Sequence, residues 1–211
     1  MVSCMPFGVS GASREGFMNI VHVNTGRARA ITLLDGRRGR SAIAKTPVAG
    51  PVAVGPLGLQ GDEQADPTVH GGITKAVYAY PLEHYPFWQT VRAQARVALW
   101  DEPLSPGSLG ENLTVSGLAE DRLWIGDRLH VRRDGATACV LAVSEPRFPC
   151  HKLAAAMGFA QAVKLMAQSG YCGGYLAVIE PGSVAAGDAL ELIPGPREVN
   201  LRELFFARMG S

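Results

Sequence analysis

The chain has 211 residues, 47% of them hydrophobic and 18% charged, which is enough apolar material for one domain with a sizeable core. Its formal net charge of +1 gives no electrostatic reason to expect a nucleic acid polymer or an acidic membrane surface as a partner. The four cysteines form no CxxC pair and no apolar run reaches the roughly 18 residues of a membrane helix, which disfavours a zinc ribbon, a disulfide framework and a transmembrane segment. These features favour a reducing compartment, and we expect a cytoplasmic protein.

The first 17 residues are rich in glycine and serine without a long apolar stretch, so we expect a disordered leader and not a signal peptide. Met18 is the expected start of the folded region and a candidate native start. The domain is predicted to span residues 18–195, followed by a short helical tail over residues 196–211. That tail carries Leu201, Leu204 and Phe205 and is too short to fold by itself.

Short alternating apolar runs predict β-strands at 18–23, 29–34, 41–45 and 48–54. Residues 35–40 read Asp-Gly-Arg-Arg-Gly-Arg, and we interpret them as a basic solvated loop in preference to a phosphate contact. Lys45 lies in an otherwise apolar run. A strand lysine usually points to solvent, although one at the rim of a barrel could bind an anion.

Residues 55–75 form a long, polar, glycine-rich segment, and loops of this length usually have a function. It contains Asp62, Glu63, Asp66 and His70, followed by the Gly71-Gly72 pair. Carboxylates and imidazole permit a metal site, and glycines with exposed N–H groups permit a phosphate cradle. The spacing matches no zinc motif, so on residue types alone an ordered surface loop ranks first.

Three helical segments are predicted in the rest of the chain. Residues 82–100 carry apolar side chains at helical spacing, with Pro86 in the first turn and the aromatic residues in the core. Residues 153–157 and 159–168 form a helical pair divided at Gly158. Further strands are predicted at 76–80, 110–115, 124–131, 137–143, 175–180 and 186–192. The Cys172-Gly-Gly run indicates close approach of the backbone to a strand or a ligand.

Cys150 lies where a predicted strand gives way to a predicted helix, in the run Pro-Arg-Phe-Pro-Cys-His-Lys. The prolines stiffen the turn, and the first helical turn together with Arg147 and Lys152 favours a thiolate. A thiolate there can be a nucleophile or a soft-metal ligand, and a buried inert cysteine is the equally weighted alternative. The other cysteines are interpreted as core, loop or dispensable leader residues: Cys139, Cys172 and Cys4.

Six pieces of the chain, taken in order, resemble one known family. They are Ser-Ala-Ile-Ala-Lys ending at Lys45, Gly-Leu-Gln-Gly-Asp-Glu-Gln-Ala-Asp ending at Asp66, His-Gly-Gly from His70 with Lys-Ala-Val from Lys75, Gly-Glu-Asn-Leu-Thr from Gly110, Ile-Gly-Asp from Ile125, and Pro-Arg-Phe-Pro-Cys-His-Lys-Leu around Cys150. The pattern resembles the MOSC domain, named after the C-terminal part of molybdenum cofactor sulfurase, and within it the bacterial YiiM-type proteins. It implies a mainly β fold with helices, a β-barrel with an inserted helix and a short helical pair after the key cysteine.

The resemblance implies a site for the molybdenum cofactor (molybdopterin), with Cys150 as the metal ligand and Arg147 and Lys45 as candidates for its phosphate. The implied cofactor-binding residues are Lys45, His70, Gly71, Gly72, Lys75, Asn112, Arg147 and Lys152. Implied participants in catalysis are Cys150, His70 and Asp62, with His151 as a further proton-transfer candidate. Molybdenum ion binding and pyridoxal phosphate binding are the general binding functions that the family implies.

The implied activity is reduction of N-hydroxylated compounds, such as hydroxylaminopurines, to amines, which detoxifies N-hydroxylated bases. No flavin or nicotinamide fingerprint is visible, so we expect electrons from a separate reductase, a flavoprotein, and a homodimer is possible. Two alternatives stay open: a cofactor or sulfur carrier with a persulfide on Cys150, and a non-catalytic binding domain. The chain departs from the family pattern at Thr74, where an acidic residue is expected, and in the short stub after Asn200, where YiiM-type proteins carry a helical extension.

Overall fold

The computed structural model describes residues 18–65 and 71–210, so the predicted leader, Cys4, Asp66 and His70 lie outside the described residues. The strands in chain order are β1 (Met18–Thr25), β2 (Arg29–Thr32), β3 (Arg38–Ser41), β4 (Thr46–Pro47), β5 (Val52–Gly55), β6 (Gly58–Leu59), β7 (Val77–Pro81), β8 (Leu113–Ser116), β9 (Arg128–Arg133), β10 (Ala136–Pro146), β11 (Gly174–Glu180), β12 (Gly182–Val184) and β13 (Ala189–Ile193). The α-helices are α1 (Tyr85–Gln94), α2 (His151–Met157), α3 (Ala162–Ser169) and α4 (Leu201–Met209). Single 3-10 turns occur at Ile73–Lys75, Leu82–His84 and Glu120–Arg122.

Seven strands close into a barrel in the order β1, β8, β7, β11, β10, β9 and β13, and β13 pairs back onto β1. Every neighbouring pair in the barrel is antiparallel except β7 and β8, which run parallel. The strands β12, β5 and β6 form a small separate sheet, and β2 and β3 form a two-stranded hairpin. The mainly β, barrel-like fold predicted from the sequence is confirmed.

Apolar side chains fill the barrel because successive residues of a strand point to opposite faces. In β9, Leu129 and Val131 are fully buried, whereas Arg128 at the start of the strand is exposed. The other strands contribute in the same way, and the interior cluster includes Ile20, Leu113, Val115, Leu141, Leu176 and Leu190.

β7 is buried along its whole length because both of its faces are covered. Val77 and Ala79 belong to the barrel interior, whereas Tyr78 and Tyr80 belong to a second apolar cluster beneath the helices. The helices supply large side chains to that second cluster, among them Trp88, Leu153, Met157, Met166 and Phe205. The segment that follows Cys150 therefore packs against a layer of buried apolar side chains.

The predicted helix over residues 82–100 is wrong at its C-terminal end, because α1 stops at Gln94. Arg96 takes a left-handed conformation with φ 59°, which breaks the helical path. Leu99 and Trp100 are 69% and 67% exposed and do not pack in the core. Tyr85 and Trp88 are buried as predicted, and Pro86 lies in the first turn.

The predicted boundary between a basic loop at 35–40 and a strand at 41–45 is also wrong. Arg38–Ser41 forms β3, which pairs with β2 in the register Arg29 to Ser41 and Thr32 to Arg38, and residues 42–45 are irregular. The Arg-Arg-Gly-Arg run shows no alternation of polar and apolar residues. Its strand conformation comes from pairing with β2, which the local sequence does not reveal.

The glycine signals around the helical pair were predicted correctly. Gly158 and Gly170 end α2 and α3 in the left-handed conformation. Gly173 has φ +61°, and a Cβ there would lie 2.4 Å from the Ala79 carbonyl oxygen. The Cys172-Gly-Gly run therefore brings the backbone against strand β7, which was one of the two alternatives that the sequence left open.

The C-terminal helix α4 is capped by Asn200, whose side chain accepts hydrogen bonds from the N–H groups of Arg202 and Glu203 at 2.9 and 3.2 Å. Leu201 and Phe205 are fully buried against the rest of the chain. The proposed domain boundary at 195 stays a prediction. Among the described residues, no helix has both the length and the apolar composition to cross a membrane.

Candidate functional site

An open cleft lies where β10 ends and β7, β8 and β11 begin. Its empty volume is about 600 Å³, a value that includes space open to solvent. Strand pairing brings these ends together, since Tyr175 lies opposite Tyr78 and Leu113 lies beside Ala79. The cleft is lined mainly by polar and aromatic side chains, among them Lys45, Asp62, Glu63, Gln64, Lys75, Tyr78, Asn112, Arg147, Cys150, Lys152 and Tyr175. Six of the residues proposed from the sequence as cofactor-binding or metal ligands thus lie in one cleft together with Asp62.

Cys150 is half-buried in this cleft and forms the N-cap of α2, with extended backbone angles of φ −134° and ψ 172°. β10 continues through Pro146, which pairs with Gly174, so the stiff turn is shorter than predicted. Phe148 within the turn stacks on Phe205 of α4 at 5.8 Å between ring centroids. The contacts of Pro146 and Phe148 therefore hold the turn that leads into the cysteine.

The other two described cysteines are buried and have no access to the cleft, as predicted. Cys139 is 2% exposed and burial raises the pKa of its thiol to about 11. Cys172 is fully buried, and burial likewise raises the pKa of its thiol, with Glu120 acting in the same direction. Burial therefore disfavours the thiolate form of both cysteines.

Arg147 is a buried cation, 5% exposed, whose guanidinium faces aromatic rings. It lies 5.6 Å from the centre of the Tyr78 ring, and its Nη1 donates to the Met166 sulfur at 3.4 Å. Within the described part of the chain, no carboxylate forms an ion pair with Arg147. Burial raises the pKa of the neighbouring Tyr175, while Arg147 acts against that shift. A buried guanidinium without a carboxylate partner suits an anionic ligand entering the cleft.

Lys45 differs from Arg147 because its charge is already neutralised. Its Nζ donates to both carboxylate oxygens of Asp62 at 2.5 Å, and both side chains are only 7% exposed. Asp62 also accepts from the Gly26 N–H at 2.8 Å and from the Asn112 amide at 2.9 Å. Burial lowers the pKa of the Lys45 ammonium, and Asp62 opposes that shift. These contacts join four separate segments of the chain into one wall of the cleft.

Glycine is needed beneath this wall because the Lys45 backbone passes very close to the loop before β8. Gly107 has φ +83°, and a Cβ there would lie 2.6 Å from the Lys45 carbonyl oxygen. Glu111 in the same loop is fully buried and accepts hydrogen bonds from the N–H groups of Gly107 and Leu109 and from the Tyr85 hydroxyl. Burial raises the pKa of Glu111, while these donors lower it. Buried hydrogen bonds to Glu111 therefore hold this loop in place.

Some proposed residues lie elsewhere. Of the described candidates, Gly71, Gly72 and His151 do not line the cleft, although the Gly72 N–H donates to the Gln64 side chain at 3.2 Å. No group of three or more His, Cys, Asp or Glu side chains within residues 18–65 and 71–210 could hold a metal ion. The roles proposed for the individual site residues stay predictions.

The structure adds site residues that the sequence reasoning missed. Tyr78 and Tyr175 face each other across paired strands, with ring centroids 5.3 Å apart, and border Arg147 and the cleft. Because the strands that carry them are largely buried, the sequence pattern did not show that these two rings line a cavity. Glu145 of β10 lies 3.4 Å from the Thr74 hydroxyl, so a carboxylate occupies the neighbourhood where an acidic residue at position 74 was expected.

A closed seven-stranded barrel, with a cysteine and a buried arginine that has no carboxylate partner among the described residues in a cleft at the strand ends, places the chain in the class of small β-barrel domains. Comparison with known proteins identifies which one: the chain belongs to the MOSC domain family, whose pattern matches residues 66–191. It is 40% identical to YflK of Bacillus subtilis (strain 168) over 175 residues, covering 83% of this chain and 73% of YflK. It is 38% identical to the protein YiiM of Escherichia coli (strain K12) over 163 residues, covering 77% of this chain and 68% of YiiM.

A third relative, named "Reductase", comes from Gibberella moniliformis (strain M3125 / FGSC 7600) and is 32% identical over 182 residues. That match covers 84% of this chain but 29% of the fungal protein, so the similarity concerns one part of a longer polypeptide. Among solved structures, YiiM from Geobacillus stearothermophilus superposes with a TM-score of 0.69 at 30% identity, covering 91% of this chain and 84% of that one. The predicted membership of the family is confirmed.

Proposed function

We propose that this chain is an oxidoreductase that binds the molybdenum cofactor and reduces N-hydroxylated compounds to amines. The observation that carries the proposal is the half-buried Cys150 in the same cleft as Arg147, a buried cation without a carboxylate partner among the described residues. The family supports it, since the MOSC domain is associated in general with this cofactor. A fungal relative that carries the name reductase supports the reaction class.

The residues of the cleft fit such a cofactor chemically. A thiolate is the ligand type that a soft metal prefers, and Cys150 is the described cysteine that reaches the cleft. A guanidinium binds phosphate oxygens in a bidentate manner, and Arg147 is the candidate for that contact. Lys152 adds positive charge to the cleft lining, whereas Lys75 pairs with Glu145 at 3.5 Å. Asn112 is held by Asp62 and by the Tyr78 N–H, so it forms a rigid part of the wall.

Pyridoxal phosphate, the other cofactor that the family implies, fits less well. Chemistry on that cofactor requires a free lysine amine. Lys45 is clamped at 2.5 Å by both oxygens of Asp62 and is therefore not poised as a nucleophile. Lys75 and Lys152 also line the cleft, so the choice between the cofactors rests on Cys150: its thiolate is the ligand type that a soft metal prefers, and we favour the molybdenum cofactor.

The proposed reaction breaks one N–O bond. An N-hydroxylated amine takes up two electrons and two protons and gives the amine and water. When bound, the cofactor would supply a two-electron redox centre, and the electrons would come from a separate reduced flavoprotein. The protein's own residues would hold the metal through Cys150 and bind the anionic group through Arg147, while the Lys45–Asp62 pair orients the wall. Asp62 is engaged by Lys45, Gly26 and Asn112, so we assign it a positioning role, and proton transfer through His70 stays a prediction.

The test is the molybdenum content of protein made in a host that synthesises the cofactor. We expect about one molybdenum per chain in the wild type and a loss of at least about tenfold in Cys150→Ser. Cys139→Ala and Cys172→Ala are matched controls, since both thiols are buried away from the cleft and both variants should keep the metal. Equal metal in wild type and Cys150→Ser would disprove the ligand assignment, and absence of molybdenum and pterin from both would indicate a non-catalytic binding domain.

A second assay separates the reductase from a sulfur carrier. With reduced methyl viologen as donor, the molybdenum-loaded protein should convert a hydroxylaminopurine to the aminopurine. Protein that is inert with several N-hydroxylated substrates, and that instead releases a cyanide-labile sulfur from Cys150, would establish the carrier alternative.

A further inference from the structure

The β2–β3 hairpin concentrates positive charge on one projection of the molecule. Residues 27–41 contain five arginines and one aspartate, whereas the whole chain has a net charge of only +1. The five are Arg27, Arg29, Arg37, Arg38 and Arg40, and all are exposed. With four residues in each strand, the hairpin extends about 13 Å before its turn at residues 33–36. The proposed function gives this feature no role.

The hairpin rises from the rim of the cleft. Ser41 at the end of β3 lines the cleft together with Ala42 and Ile43. On the other strand, the Ala28 N–H donates to Glu63 at 2.9 Å and the Gly26 N–H donates to Asp62 at 2.8 Å. The base of the hairpin is therefore joined to the same loop that carries the Lys45 partner. A molecule bound along the hairpin would therefore lie beside the cleft.

Most of these guanidinium groups are available to a partner. Arg37 pairs with Asp35 at 2.7 Å, and Arg40 donates to the Ala28 carbonyl at 3.2 Å. The side chains of Arg27, Arg29 and Arg38 form no hydrogen bond or ion pair within the described part of the chain. Like charges placed this close together repel one another, and a negatively charged partner removes that repulsion.

We propose that this hairpin is the docking surface for an acidic electron-donating flavoprotein. The proposal rests on the proposed function, because the cleft must receive electrons and the sequence shows no flavin or nicotinamide fingerprint. Charges spread along a hairpin beside the cleft attract an acidic protein surface and bring its redox group towards the site. An isolated two-stranded hairpin is only marginally stable, so it can adjust to a partner.

Other anionic ligands fit this surface less well. A small phosphate compound needs several donors that converge on one point, whereas these side chains are distributed along two strands and a turn. A single-stranded nucleic acid needs aromatic side chains for its bases to stack on, and residues 27–41 contain no Phe, Tyr or Trp. An acidic protein surface requires neither feature.

The experiment compares the molybdenum-loaded wild type with the triple variant Arg27→Gln, Arg29→Gln, Arg38→Gln. The electron donors are reduced flavodoxin, an acidic flavoprotein, and reduced methyl viologen, a small cation. The matched control, Arg122→Gln, Arg128→Gln, Lys164→Gln, removes three exposed charges from other surfaces. A variant with lysine at positions 27, 29 and 38 keeps the charge.

At low ionic strength we expect the hairpin variant to raise the KM for reduced flavodoxin at least about tenfold, with methyl viologen kinetics unchanged. The matched control and the lysine variant should stay within about twofold of the wild type, and 0.5 M salt should remove the difference. An unchanged KM for flavodoxin in the hairpin variant would overturn the proposal. A raised KM for a nucleoside monophosphate substrate with methyl viologen as donor would also overturn it, in favour of a substrate phosphate site.

Failure of the proposed function is distinguishable from failure of the docking surface. If the wild type reduces no substrate with methyl viologen, binding of oxidised flavodoxin is measured directly by calorimetry at 50 mM salt. Binding that the hairpin variant alone loses would support the docking surface. Absence of binding in the wild type, or tighter hairpin-dependent binding of a 20-nucleotide DNA strand, would contradict it.

Discussion

Two buried cations lie in the same cleft but in different electrostatic states. Lys45 is neutralised by Asp62, and both side chains are nearly inaccessible to water. Around the Arg147 guanidinium lie aromatic rings and a thioether, and no carboxylate of the described residues pairs with it. The Lys45 charge is therefore a structural feature, and Arg147 retains the capacity to attract an anion. From the sequence, both residues were candidates to bind a phosphate. The difference between them was not visible, because residue type alone does not reveal that Lys45 has a partner 17 positions away.

The Lys45–Asp62 pair gives a prediction at this scale. Asp62→Asn should lower the free energy of unfolding by about 3 kcal/mol, because it leaves a buried ammonium without its carboxylate. Adding Lys45→Met should recover part of that loss, since the uncompensated charge is then removed. Urea denaturation of the metal-free proteins measures both values.

The matched control for that pair is Arg37→Gln, which breaks a surface ion pair whose side chains are 72% and 50% exposed. It should change stability by less than about 0.5 kcal/mol. A double variant less stable than Asp62→Asn would show that Lys45 stabilises the wall by packing and not through its charge.

Single elements position the site where their backbones approach one another closely. The loop before β8 supports the irregular segment 42–45, and Gly107 makes that contact possible. Strands with clear alternation, such as β9, and helices ended by glycine, such as α2, were predicted from local sequence. The strand β3 and the end of α1 were not, since the first depends on pairing with β2 and the second on a left-handed Arg96.

Two glycines with almost identical φ angles test this account. Gly107 and Gly36 have φ values of +83° and +82°, but a Cβ at Gly36 would meet no atom within 4 Å. Gly36→Ala should therefore cost only about 1 kcal/mol for the left-handed conformation. Gly107→Ala should cost at least about 1 kcal/mol more and reduce molybdenum content, because Lys45 must move. Equal losses of stability in the two variants would contradict the close approach.

At the scale of the whole molecule, the C-terminal helix supports the site. Phe205 of α4 is fully buried and stacks on Phe148, two residues before Cys150. The sequence predicted this helix as a short tail, and its few apolar residues did not show what they pack against. Contacts of this kind join segments that are far apart in the sequence. They help to shape the site, and they leave no local sequence pattern from which they could be predicted.

Phe205→Ala should lower the free energy of unfolding by about 3–5 kcal/mol and reduce molybdenum content, because the turn carrying Cys150 loses its support. Leu204→Ala on the same helix is the control, since Leu204 is only half-buried and should cost less. Thermal unfolding and metal analysis measure the two effects. A Phe205→Ala protein with full molybdenum content at a temperature where it is folded would show that α4 does not influence the site.

The closure of the barrel has a consequence for biosynthesis. Met18 in the first barrel strand pairs with Leu190 in the last, about 170 residues later, whereas Val23 pairs with Leu113. At a translation rate of roughly 5–20 residues per second, β13 emerges from the ribosome roughly 10–30 seconds after β1. During that interval the nascent sheet has an open edge of unpaired N–H and C=O groups, which is the kind of surface on which chains aggregate. Nascent chains that stall before β13 are therefore the species that most require a chaperone.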